Sequence, residues 1–283
     1  MQTFNTINDI QNWCRDQKRQ GKSIGLVPTM GYLHAGHLAL AAEARSRCDI
    51  VVVSIFVNPI QFGVGEDFED YPRDLRRDSN LLEQAGVDAL FAPSVREMYP
   101  VGYGSYVEVT GEITEKLCGR SRPGHFRGVT TVVSKLFNIC LPDLAFFGQK
   151  DAQQAMVIEK MVKELNFPLQ IIRVPIIREA DGLAMSSRNV YLNPDQRSQA
   201  LVLNQSLQKA REAIMAGERD TDRVRNLLQA TIGTSPEANV DYAEIYDATT
   251  LADVKEIDGS VLIALAVRFG TTRLIDNLIV EVQ

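Results

Sequence analysis

Residues 49–57 read Asp-Ile-Val-Val-Val-Ser-Ile-Phe-Val, a nearly unbroken run of β-branched and aromatic side chains. A strand with one wet face alternates apolar and polar residues, so a continuous run of this length belongs to a strand covered on both faces. That is the signature of a central strand in a parallel sheet, and the neighbouring segments fit it. Residues 23–28 (SIGLVP), 88–92, 144–147 and 169–177 (LQIIRVPII) are further short strand candidates. Between them, residues 36–47, 73–84, 129–139 and 152–165 have helical composition. Repeated β-α-β alternation predicts an α/β fold, a parallel sheet with helices on both faces.

The pattern changes at residues 178–182 (READG). Residues 194–215 predict a long helix, with Asn193 before Pro194 as an N-cap and first-turn pair. Residues 222–232 predict a second, and then 241–246, 260–269 and 274–282 follow as strands with no helix between them. Helices followed by consecutive strands indicate an α+β unit with an antiparallel sheet. The chain therefore divides into residues 1–177 and 178–283, as 283 residues should at roughly 100–200 per domain. With 30 Lys+Arg against 36 Asp+Glu the net charge is −6, which speaks against nucleic acid as the main partner. The first ten residues are polar and mixed, without the regions of a signal peptide, so a cytoplasmic location is expected. No apolar run approaches the roughly 18–20 residues that cross a bilayer, so no membrane association is expected. Cys14, Cys48, Cys118 and Cys140 are scattered, without a Cys-x-x-Cys pair, and read as reduced packing residues.

Ligands of open parallel sheets bind outside the carboxyl ends of the strands. The loop after the first of these strands, residues 28–37 (PTMGYLHAGH), holds two of the three histidines. A helix starting near His34 would put His34 and His37 on one face, at an N-terminus whose dipole and N–H groups attract phosphate. Gly31 and Gly36 permit close backbone approach. The plain alternative is a pair of surface or core histidines, and zinc lacks a recognisable third and fourth ligand. No metal site is expected. Residues 58–63 (NPIQFG) combine turn chemistry with the amides of Asn58 and Gln61, and otherwise read as a solvated turn. Residues 122–128 (RPGHFRG) put two arginines and the third histidine before an apolar helix; such forks suit anions, and a basic surface loop is the alternative. Lys150 in Gly148-Gln149-Lys150-Asp151 lies where a strand enters a helix, with Gln153 and Gln154 following, and outside any Walker A sequence. Residues 181–189 (DGLAMSSRN) bring hydroxyls and an arginine to the domain boundary, where a linker is the alternative. Together the five loops indicate a phosphate-binding α/β enzyme.

The segments PTMGYLHAGH, NPIQF, RPGHFRGV, FFGQKDAQQ and READGLAMSSRNVYL, in that order over residues 28–192, closely resemble the pantoate–β-alanine ligase family. Residues 34–37 are also similar to the HIGH signature of the wider nucleotidyltransferase superfamily. The resemblance implies a Rossmann-like nucleotide- and pantoate-binding domain, a smaller C-terminal α+β lid and a homodimer. It implies that ATP, accompanied by Mg²⁺, and pantoate give pantoyl adenylate and pyrophosphate, and that β-alanine then gives pantothenate and AMP. Both attacking groups belong to substrates, so no enzymatic nucleophile is required.

By the same resemblance His34, His37 and Lys150 are the catalytic residues, His37 being the one credited with proton donation. ATP would be held by Met30, Gly31, Tyr32, Leu33, His34, Ala35, Gly36 and His37, by Gly148, Gln149, Lys150, Asp151 and Ile177, and by Met185, Ser186, Ser187 and Arg188. Gln61, Gln154 and Arg122 would contact pantoate, and Gln61 also β-alanine. The alternatives are another HIGH-type nucleotidyltransferase acting on a phosphorylated acceptor, or a non-catalytic nucleotide sensor. A tRNA synthetase fragment fits poorly, given the acidic balance and the lack of a basic domain.

Overall fold

Six strands, all parallel, form one sheet: β1 (Gln2–Phe4), β2 (Ile24–Thr29), β3 (Ile50–Ile55), β4 (Ala89–Phe91), β5 (Leu144–Gly148) and β6 (Gln170–Val174), in the spatial order β1-β4-β3-β2-β5-β6. They come from a computed structural model that describes residues 1–282. The helices are α1 (Ile7–Arg19), α2 (Ala35–Arg47), α3 (Leu75–Gln84), α4 (Val95–Met98), α5 (Glu112–Glu115), α6 (Leu117–Ser121), α7 (His125–Cys140) and α8 (Ala152–Glu164). The valine run lies at the centre of the sheet, as its composition requires: Ile50 to Ser54 are all buried. Val27, Val51, Val53, Leu90 and Phe146 share one core with Leu33, Leu40 and Ala44.

The chain runs from β2 outward through β3 and β4, then crosses back to place β5 on the other side of β2. The strand order thus reverses between β2 and β5, and the loops leaving these neighbours flank the topological switch point. The sequence reading names neither β1 nor the helices α1, α4, α5 and α6, the last three of only four or five residues each. Neither β1, a three-residue edge strand, nor α1 is apolar enough to stand out; α1 buries only Ile10 and Cys14 and is capped by Thr6, which accepts from Asp9 N.

The second sheet is antiparallel, β7 (Ala238–Asp247), β8 (Ser260–Phe269) and β9 (Thr272–Glu281), with β8 central. Its core joins Ile263, Leu265 and Val267 to Leu203, Leu207, Val224 and Leu228. Residues 194–215, expected as one helix, form two: α9 (Pro194–Gln199) and α10 (Val202–Met215), ahead of α11 (Thr221–Ile232). At Ala200 and Leu201 the bonds Leu201 N to Ser198 O and Leu203 N to Ala200 O span three residues, a tightened turn that redirects the chain. No glycine or proline marks it. Asn193 and Gln196 cap α9 reciprocally.

The molecule divides into two compact units. One is Met1–Thr110, Arg122–Gln149 and Gln153–Pro175; the other takes Gly111–Ser121, Lys150–Ala152 and the chain from Ile176 on. The four cysteines are buried thiols outside any disulfide. Among the described residues no helix is long and apolar enough to cross a membrane.

Candidate active site

In the first unit the loop after β2 is built to hold one shape. Gly31 takes a φ of +86°, and a Cβ there would press on Ile55 and the Asp78 carboxylate, so only glycine fits without strain. Thr29 Oγ1 accepts from Gly31 N and donates to Ser54 O, tying the loop to β3. Asp78, on α3 and 1% exposed, accepts from Tyr32 N at 2.7 Å and Leu33 N at 2.8 Å. Arg77 closes the clamp through Leu33 O and lies over the Tyr32 ring. Burial pushes the Asp78 carboxyl above its ordinary value, opposed by those two N–H groups and by Arg77.

That clamp delivers the two histidines to the start of α2. The sequence reading set them on one helical face; the structure makes His34 the N-cap and His37 the third helical residue, joined as a reciprocal cap. Gly36 N donates to His34 Nδ1 at 3.1 Å and His34 N donates to His37 Nδ1 at 3.3 Å. The ring centroids are 4.1 Å apart. An Nδ1 that accepts carries no proton, so each neutral ring bears its proton on Nε2. The helix start therefore presents two imidazole donors beside the positive end of a dipole.

Gln61 is oriented just as firmly. Asn58, 1% exposed, donates from Nδ2 to Gly128 O at 3.1 Å and to Gln61 Oε1 at 3.0 Å. Because Gly128 O can only accept, the Asn58 amide has one orientation, and its Oδ1 receives the Tyr99 hydroxyl at 2.8 Å. Burial pushes the Tyr99 phenol up, which keeps it a donor. The Gln61 oxygen thereby accepts from Asn58 and its amide nitrogen is aimed at Met30 Sδ at 3.2 Å. Sulfur is a weak acceptor that a substrate oxygen can replace. Gly128 is essential to this packing: a Cβ there would fall 2.5 Å from Gln61 Cα.

Arg122 is engaged from both ends. Its Nε and Nη2 grip Glu66 at 2.7 and 2.6 Å, while Nη1 meets His125 Nε2 at 3.1 Å. Burial favours a neutral Glu66, but the Arg122 guanidinium overrides it and holds the carboxyl down at about 2. Gln154 lies half-buried in the first turn of α8; Gly148 is the last residue of β5, and Gln149 follows it.

In the second unit a different set assembles. Asp276 and Asn277, neighbours on β9 and nearly fully buried, hold two segments at once. The Asp276 carboxylate takes both terminal nitrogens of Arg178 at 2.7 and 3.0 Å, and Asn277 Nδ2 donates to Lys150 O at 2.9 Å. Met185 N donates to Ile177 O at 3.0 Å, closing the hairpin that leads to Ser186, whose hydroxyl accepts from Arg188 N at 3.2 Å. Lys150, Asp151, Ile177 and Met185 to Arg188 thus belong to one unit, and Met30, His34, His37, Gln61, Arg122 and Gln154 to the other.

Sequence reasoning missed Arg77, Asp78, Tyr99, Asp276 and Asn277. An acidic residue inside a charged helix, or an Asp-Asn pair in a strand, carries no motif; partners far away in sequence make each of them structural. Among the described residues no cluster of three or more His, Cys, Asp or Glu side chains is placed to hold a metal ion.

The family model described as pantoate–β-alanine ligase matches residues 2–279. A pantothenate synthetase of Syntrophomonas wolfei is 66% identical over 282 residues, covering the whole of both chains. The crystal structure of pantothenate synthetase from Thermus thermophilus superposes with a TM-score of 0.94 at 45% identity, over 98% of this chain and 99% of that one. A pantoate–β-alanine ligase from Francisella tularensis, solved with beta-gamma ATP and β-alanine, matches with a TM-score of 0.80 at 34% identity, over 98% of this chain and 97% of that one.

Proposed function

The chain belongs to the pantoate–β-alanine ligase family and condenses pantoate with β-alanine; from that premise we propose that the reaction passes through a pantoyl adenylate. A pantoate carboxylate oxygen attacks the α-phosphorus of ATP and expels pyrophosphate. The β-alanine amine then attacks the acyl carbon, loses a proton and releases AMP. What the enzyme must supply is alignment and stabilisation of the charge that develops on phosphate oxygens.

The observation that carries this reading is the double cap at the start of α2. It fixes His34 and His37 with Nδ1 as acceptor, so that Nε2–H is the donor offered to phosphate. We assign ATP to Met30 through His37, Gly148 through Asp151, Ile177 and Met185 through Arg188, with His34, His37 and Lys150 catalytic. Mg²⁺ enters as part of the nucleotide substrate, held mainly by phosphate and water as is usual for this ion. Gln61 and Gln154 are assigned to pantoate, and Gln61 also to β-alanine. An Arg122 contact to substrate requires a substrate carboxylate to displace Glu66. Residues 1–177 are assigned nucleotide and pantoate binding, and residues 178–283 the role of a lid. The chain is proposed to act as a cytoplasmic homodimer, on family grounds.

The test is pantoate-dependent exchange of labelled pyrophosphate into ATP, followed by β-alanine addition and detection of AMP. Exchange without pantoate, or a dinucleotide-like product from a phosphorylated acceptor, would reject the reading. His34→Ala or Lys150→Ala should each lower exchange by roughly 10²–10³, the usual loss for one preorganised donor.

A further inference from the structure

His125, the third histidine, has no role in the proposal above, yet it is 8% exposed and engaged at both ring nitrogens. Nδ1 lies 2.9 Å from the Gln61 carbonyl oxygen and Nε2 lies 3.1 Å from Arg122 Nη1. A carbonyl oxygen can only accept and a guanidinium can only donate, so the proton sits on Nδ1 and Nε2 offers its lone pair. One neutral tautomer satisfies both contacts. A proton on Nε2 would set two donors against each other beside a fixed positive charge. Arg122 in turn is held by Glu66 through two nitrogens, and its Nη2 also reaches Gln61 O at 3.4 Å.

Gln61 is therefore gripped twice. Asn58 holds its side-chain oxygen and His125 its main-chain oxygen. The second grip decides where the side chain starts from, and the first decides which way its amide turns. A ring that merely filled space would not need a fixed tautomer, and a surface arginine would not need a carboxylate on one edge and an imidazole on the other.

We infer that His125 is a positioning residue for Gln61: Glu66 holds Arg122, Arg122 holds the imidazole in its Nδ1–H tautomer, and that N–H fixes the peptide from which the substrate-facing amide projects. The inference rests on the assignment of Gln61 to pantoate. It makes His125 act on pantoate through Gln61 without touching it.

Three variants of the full-length enzyme test it: His125→Phe, which keeps a ring and donates nothing; His125→Asn, whose amide nitrogen stands near the place of Nδ1; and Gln61→Ala. Melting curves are recorded for each so that kinetics are compared among folded proteins. His125→Phe is expected to raise the pantoate KM about tenfold while leaving the ATP KM within about twofold, and His125→Asn to recover most of that loss. In the double variant with Gln61→Ala the two effects should not add. If His125→Phe leaves the pantoate KM unchanged while Gln61→Ala raises it, the inference falls and the assignment of Gln61 stands. If His125→Asn is as impaired as His125→Phe, the donated hydrogen bond is not what matters and the inference falls. If Gln61→Ala itself leaves the pantoate KM unchanged, the assignment fails and the inference with it.

Discussion

At the residue scale the proposed site depends on which atom of each polar side chain is already engaged within the fold. His34 does two jobs with two nitrogens, capping α2 with Nδ1 and keeping its proton on Nε2. Substitution can separate them. His34→Asn keeps an effective cap and His34→Ala loses it, so only the alanine variant should lose about 1 kcal/mol of stability in thermal or urea melts. Both lack the Nε2 donor, and both should lose roughly 10²–10³ in pantoate-dependent pyrophosphate exchange. Asparagine activity near wild type would mean that the cap, and not the donor, is what the reaction uses. Gln61 has the same logic. Asn58 already donates to its oxygen, so on the assignment of Gln61 to pantoate, Gln61→Glu replaces the donor proposed for the substrate carboxylate with a negative charge. The pantoate KM should rise by about 10–100-fold, the range for a hydrogen bond to a charged group.

At the scale of elements, α3 and α7 matter for what they hold in place. The Asp78 and Arg77 clamp lets α3 set the loop before α2, and a missing Cβ at Gly128 lets α7 lie against the turn that carries Gln61. In Gly128→Ala the added methyl would meet backbone at 2.5 Å, which side-chain rotation cannot relieve. Overpacking of this kind costs about 1–3 kcal/mol, so urea melts should show a loss of that size together with a raised pantoate KM. A stable variant with wild-type KM would show that α7 can slide without moving Gln61. The β9 strand plays the corresponding part in the second unit, where Asp276 is 2% exposed and paired with Arg178. Asp276→Ala leaves the Arg178 guanidinium without its carboxylate, with only the Gly182 carbonyl remaining, and should cost about 3–5 kcal/mol in a chemical melt.

For the whole molecule, acid stability is the readout that registers these pairings. Glu66 is held at about 2, against an ordinary value of 4.5, because the Arg122 guanidinium outweighs the burial that opposes it. A depressed folded value contributes stability above the unfolded value, and that contribution is lost as pH falls from about 4.5 toward 2. Asp78 works in the opposite sense: burial raises it, so its contribution is present at low pH and fades as pH rises through its folded value. Urea melts of the native chain and Glu66→Gln between about pH 6 and pH 2.5 should therefore diverge most at the neutral end, by roughly 2–3 kcal/mol, and converge toward the acid end. Parallel curves would mean that the pair adds nothing to the fold. For the proposed lid, solution scattering with and without pantoyl adenylate should differ; superimposable profiles would count against closure.

The sequence by itself determined what local patterning can determine. The valine run fixed a doubly covered strand, alternation fixed a parallel sheet followed by an antiparallel one, and five loop motifs named most of the residues assigned to the site. Those signals were legible because each is contiguous and each follows from the period or chemistry of its own segment. Tertiary structure alone decided the rest: the break between α9 and α10, which no glycine or proline announces; the tautomers of His34, His37 and His125; the orientation of the Gln61 amide; and the clamps at Asp78, Asp276 and Asn277. The physical reason is common to all of them. A hydrogen bond fixes which atom donates only once its partner is in place, and these partners lie on elements that the fold, and not the order of residues, brings together.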